Sequence, residues 1–173
     1  MLIKTEDLSP KRIINFYLPQ AIMAERRALL FFAKNDCEID YVAEMSAIEG
    51  LSHFLITATL ISVAYSENAD KEDIKALVLA ITDDYLQNEM LPDINDNASL
   101  TEKCEAIADA LIRPTLNRDK GDMLIENVQE NSMEVRFVGH CAGCPYAQNT
   151  LQNVIVRTFK HFLPQINEIR LKE

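Results

Sequence analysis

The sequence predicts an α+β chain in two parts: an N-terminal all-α helical bundle over residues 1–98 and a small helix–strand–strand–helix–strand domain over residues 99–173. Charge is the first ground for this division. Residues 1–110 hold nine Lys and Arg against twenty Asp and Glu, a balance of −11, whereas residues 111–173 hold eight against seven, a balance of +1. A shift of that size marks modules of different character. Periodicity is the second: up to about residue 110 the apolar residues recur at helical spacing or fill whole segments, as in packed helices. After Gly121 the pattern shortens to β-prone runs.

Taken in order, residues 8–34 read as a helix that Ser9 caps and Pro10 opens, with Pro19 kinking it because proline has no amide to donate. Residues 40–66 read as a long helix with Gly50 as its weak point. Its second half, "LSHFLITATLISVAY", is apolar almost all round, which suits a central helix covered by others. Residues 69–90 follow as a helix capped by Asp70, with acidic residues complementing the dipole of its first turn. Pro92 and "DINDN" close it. Residues 99–112 open with a capping box, Ser99 and Glu102, and this helix joins the two parts.

The second part begins with "DMLIENV" and "SMEVRFV", two short runs separated by the polar "QEN", the pattern of a hairpin. A loop, "GHCAGCP", leads to a helix from about Pro145. Leu151, Val154, Ile155, Phe159 and Phe162 keep helical spacing along it. Pro164 ends that helix, and "INEIRL" reads as the last strand.

Composition narrows the function. An acidic surface repels phosphate backbones, and the second part carries no basic run, so no nucleic-acid partner is expected. The longest apolar-rich stretch, residues 51–65, falls short of the roughly 20 residues that cross a bilayer, and no membrane partner is expected. The four cysteines do not make a secreted disulfide framework and the start "MLIKTEDLSP" has no apolar signal core, so a cytoplasmic protein is expected.

Cys141 and Cys144 carry the chemistry. Thiolates are soft ligands for iron–sulfur clusters, zinc and copper(I), and C-x-x-C on a turn lets both sulfurs face one centre. Gly139 and Gly143 allow a tight turn. Pro145 marks the start of the next helix, whose N-terminus should help keep Cys144, and to a lesser extent Cys141, as thiolate. Three functional readings stay open on these residues alone: a cluster site, a dithiol–disulfide pair at a helix N-terminus, and a structural zinc shared between two chains as a Cys₄ tetrahedron. The bland alternative is two cysteines at this spacing by accident.

Residues 112–171 resemble the C-terminal domain of NifU, the Nfu domain. The pieces that match are "IRP.L..D.GD", the hairpin, "V.G.C.GCP", "TL...I" and the closing "P.I..I", in the same order over about 60 residues. The resemblance implies a small Nfu-like α-β-β-α-β domain that binds a labile [4Fe–4S] cluster and passes it to recipient apoproteins. It implies a non-enzymatic scaffold or carrier, with Cys141 and Cys144 as ligands and a homodimer when cluster-loaded. A [2Fe–2S] form is the variant, and zinc an adventitious substitute. Partners implied are recipient iron–sulfur apoproteins and cluster-assembly factors. This chain departs from the family pattern at Lys120, where a glycine usually stands, and at Tyr146 and Ala147, where small hydroxyl residues usually follow "CP". The resemblance stops near residue 110, and no family is recognised in residues 1–98; their acidity suits docking of basic partners.

The remaining candidates have plainer readings. His140 adjoins the first cysteine and is read as a turn residue ahead of an extra ligand. His53 reads as a core histidine and His161 as a partner of its helix C-terminus. Cys37 and Cys104 read as packed residues, with Cys104 the more open case because its helix joins the cysteine-bearing part. Asp83 and Asp84 read as a solvated helix face. No Ser/His/Asp set, P-loop or dinucleotide fingerprint is present.

Overall fold

Residues 51–65, read from sequence as the second half of a helix over residues 40–66, form two antiparallel strands of a five-stranded sheet. The computed structural model describes residues 2–35, 37–87 and 90–172. Contacts divide the chain into two compact units, residues 1–98 and 99–173.

In the first unit the strands are β1 (Lys4–Asp7), β2 (Ile13–Tyr17), β3 (Leu29–Phe32), β4 (Leu51–Ile56) and β5 (Leu60–Tyr65), in the antiparallel order β1-β2-β5-β4-β3. Two helices, α1 (Asp40–Ser46) and α2 (Lys71–Leu86), accompany the sheet. The expected all-α bundle is therefore wrong: this unit is mostly strands. The physical reason lies in burial. Ile13, Ile14, Asn15 and Phe16 are all buried, as are Phe54 to Ile56 and Leu60 to Val63. A strand buried on both faces loses the polar–apolar alternation that identifies it, and its apolar run then resembles a buried helix.

The turns were equally hard to read. Between β4 and β5 the chain reverses at Thr57–Thr59 without glycine or proline. The Thr57 amide donates to the Leu60 carbonyl at 2.8 Å, and the Leu60 amide donates to Thr57 Oγ1 at 3.0 Å. Elsewhere the left-handed positions are filled by Arg12, Arg26 and Lys34, with φ of 53°, 61° and 60°. Ser9 and Pro10, expected to open a helix, lie instead in the turn from β1 to β2, where the Lys11 amide donates to the Leu8 carbonyl at 3.0 Å. Of the helix expected over residues 40–66, only α1 forms; Gly50, at φ +84°, then turns the chain into β4.

Helix α2 forms where the sequence placed it. The amides of Glu72 and Asp73 donate to Asp70 Oδ1 at 2.8 and 3.1 Å. Residues 88 and 89, within the same expected helix, lie outside the described residues. The core of this unit gathers Tyr41, Val42 and Met45 from α1 and Ile74 and Val78 from α2 with Phe16, Phe54 and Ile61 of the sheet. Among the described residues no helix is long and apolar enough to cross a membrane.

The second unit starts with α3 (Leu100–Ile107), closed at its start by the reciprocal Ser99–Glu102 capping box. It runs through a π-helical stretch, Ala108–Ile112, into α4 (Arg113–Arg118). Pro114 has no amide for a regular turn, and the wider π-helical turns lie just before it. Strands β6 (Gly121–Val128) and β7 (Ser132–Gly139) form the expected antiparallel hairpin. A crossover of α5 (Ala147–Thr150), a π-helical stretch, Leu151–Val156, and α6 (Arg157–Phe162) returns the chain to β8 (Glu168–Leu171), parallel to β7. Here the alternation survives: Met133, Val135 and Phe137 are buried, while Ser132, Glu134, Arg136 and Val138 are only half-buried. The core gathers Ile107, Met123, Val135, Leu151, Ile155 and Phe159.

Candidate metal centre

Cys141 and Cys144 lie on the loop that leaves β7, and both are half-buried thiols. Two left-handed glycines make the loop. Gly139 has φ +65°, and a Cβ there would come within 2.6 Å of the Lys120 carbonyl oxygen. Gly143 has φ +69° with open space around it, so its requirement is purely conformational. The Ala142 amide donates to the Gly139 carbonyl at 3.1 Å, and the Cys144 amide donates to Cys141 at 3.4 Å.

The start of β6 packs against the Cys141 side chain. Gly121 pairs with Gly139 across the hairpin. A Cβ on Gly121 would stand 2.0 Å from Cys141 Sγ and 2.9 Å from its Cβ. Only glycine leaves room for that thiol. Lys120, the departure noted from the family pattern, adopts φ +57°. This left-handed form costs a side-chain-bearing residue about 1–2 kcal/mol. Its carbonyl accepts the His140 amide at 3.1 Å, tying the loop to the strand.

Arg113 anchors that strand from behind. It is buried, and its Nε and Nη2 each donate to the Met123 carbonyl at 3.2 Å, while its Nη1 donates to Glu105 at 2.7 Å and to Asp109 at 2.9 Å. Its Nε also lies 3.4 Å from Asp122. Sequence reading gave Arg113 no role, although acids four and eight residues before it were a visible signal for a helix-bound arginine.

Both cysteines line one open depression of about 740 Å³, with Phe137, Leu171, Arg136 and Lys172 in its wall. Burial pushes the Cys141 thiol up, and the charges of Cys144, Asp119 and Asp122 push in the same direction. The expectation of help from the helix N-terminus does not hold for Cys141, because the helix begins only at Ala147. His140 is exposed and stands outside the wall of the depression. Cys104 is fully buried, and desolvation pushes its thiol up to about 12, so it packs in the core as an inert thiol. Cys37 packs against the core of the first unit. Tyr146 is largely exposed. Among the described residues no three or more His, Cys, Asp or Glu side chains gather as a metal site. One chain offers two soft donors and an open side.

Residues 105–170 match the NifU-like domain family. Among curated proteins, one from Drosophila sechellia named NFU1 iron-sulfur cluster scaffold homolog, mitochondrial, is 27% identical over 135 residues, covering 70% of this chain and 47% of its own length. The protein of that name from Drosophila virilis is 19% identical over 181 residues, covering 98% of this chain and 61% of its own. The chain thus spans about half the length of the former. An X-ray crystal structure of a Staphylococcus aureus protein aligns with 47% of this chain and 99% of its own at 16% identity, with a TM-score of 0.41.

Proposed function

We propose, from the NifU-like domain matched at residues 105–170, that the chain is an iron–sulfur cluster scaffold or carrier and not an enzyme. One observation carries the reading: Cys141 and Cys144 line a single open depression, with Gly121 leaving the space that the Cys141 thiol occupies. The donor set fits the cargo. Two thiolates are half of what a [4Fe–4S] cluster takes, and a second copy of the chain supplies the other half. Cys141 and Cys144 are the ligands. Because the site lies on a loop and is shared, separating the copies exposes the cluster to the thiolates of a recipient apoprotein. Each incoming thiolate then replaces one outgoing thiolate, without change of oxidation state.

Anaerobic reconstitution with iron and sulfide tests this. The expected product is a brown dimer with about four irons and four sulfides per pair of chains, absent from Cys141→Ala and Cys144→Ala, both of which still fold. A full cluster retained by Cys141→Ala would refute the assignment. One tightly held, colourless metal per two chains would instead identify a zinc-bridged dimer. A monomer that takes up no iron but reduces disulfides would identify a dithiol oxidoreductase.

A further inference from the structure

The depression that holds the two cysteines has a charged wall. Arg136 of β7 and Lys172, just past β8, are the two cations among the described residues that line it. Register brings them together. Arg136 lies one residue beyond Val135, the last partner of β8, and the Lys172 amide donates to the Val135 carbonyl at 2.8 Å. Both side chains converge on Glu126 of β6. Arg136 Nε donates to Glu126 Oε1 at 2.6 Å, and Lys172 Nζ lies 2.9 Å from Oε2. The three groups carry a net charge of +1. The charges that push the Cys141 thiol up are those of Cys144, Asp119 and Asp122.

Taking up a cluster fixes two cysteines per chain as thiolates, and the core's positive charge offsets them only in part, so a fixed positive wall favours loading. We propose that Arg136, Glu126 and Lys172 form a counter-charge element for the thiolate pair and for the net-anionic cluster that the thiolates ligate, and that Glu126 sets its strength by holding both cations in place while cancelling one of them. This rests on the carrier reading above. It makes variants on one network act in opposite directions: Glu126→Gln raises the positive potential at the cysteines, and Lys172→Gln or Arg136→Gln lowers it.

The apo chain provides a readout that needs no cluster. In a Cys37→Ala background, the thiols are treated with dithiobis(nitrobenzoate), a dianion, and with neutral dithiodipyridine. The ratio of the two rates reports local potential and cancels changes in thiol basicity or access. Relative to the parent, the ratio rises about two- to fivefold in Glu126→Gln and falls by a similar factor in Lys172→Gln at low salt. Both effects shrink at 1 M salt, where charges are screened beyond about 3 Å. In reconstituted protein, the half-life of the cluster against a neutral chelator follows the same order. Equal ratios in all variants, or a ratio that falls in Glu126→Gln, overturn the inference. If the parent takes up no iron, the carrier reading fails and the cargo half of this inference fails with it. A parent that loads while charge variants behave alike overturns the inference only.

Discussion

Gly121 and Lys120 are neighbours with opposite constraints. Gly121 is required for space, since a Cβ would overlap Cys141 Sγ at 2.0 Å. Gly121→Ala should therefore displace the cysteine loop or the strand, costing about 1–3 kcal/mol by overpacking. Iron uptake should fall sharply while the far-ultraviolet circular dichroism of the folded chain persists. Uptake equal to the parent's would mean that the loop moves without consequence for the site. Lys120 is constrained only in its backbone, at φ +57°. The sequence had flagged this position as a departure from the family pattern, and here a lysine bears the strain of a left-handed turn. Cys141 and Cys144 were legible as a pair from spacing alone. Gly121's role was not, because a steric gap opposite a thiol exists only once two strands are paired.

The elements that hold the site are joined by Arg113. Only Asp119 and Lys120 separate helix α4 from β6, and Arg113 fixes their packing through the Met123 carbonyl and three carboxylates, Glu105, Asp109 and Asp122. Arg113→Met removes the fork and leaves a buried carbonyl and a cluster of negative charge. We expect a loss of about 2–3 kcal/mol, below the usual cost of a fully buried pair because Glu105 and Asp109 are partly solvated. Urea unfolding checks it, and Arg113→Lys should recover less than half the loss, since an ammonium cannot span both the carbonyl and the acids. A variant as stable as the parent would show that the fork is dispensable. Element by element, the hairpin and the helices of residues 99–173 were readable, because β7 alternates buried and open positions and α3 opens with a capping box. Strands β2, β4 and β5 were not, because burial on both faces removed the period and threonine or arginine stood where turn glycines are expected.

At the scale of the whole molecule, charge is divided along the chain. Residues 1–98 carry eight Lys and Arg against seventeen Asp and Glu, and residues 99–173 carry nine against ten, so −9 of the net −10 belongs to the first unit. We expect residues 99–173 alone to fold cooperatively, since this unit has its own core, and to take up iron and sulfide as the full chain does. Transfer to a basic recipient should then be slower than from the full chain at low salt and indistinguishable at high salt, where steering is screened. Equal rates at low salt would remove the docking role from residues 1–98. The sequence by itself determined the cysteine pair, the charge division and the α+β pattern of the second unit, because these are local properties of spacing, composition and one-sided burial. Only the tertiary structure decided that the first unit is a sheet, that Gly121 makes room for Cys141, and that Arg136 and Lys172, which line the cysteine depression, meet at Glu126. Each of those depends on strand pairing between distant segments, and pairing register is a property of the fold rather than of any one stretch of chain.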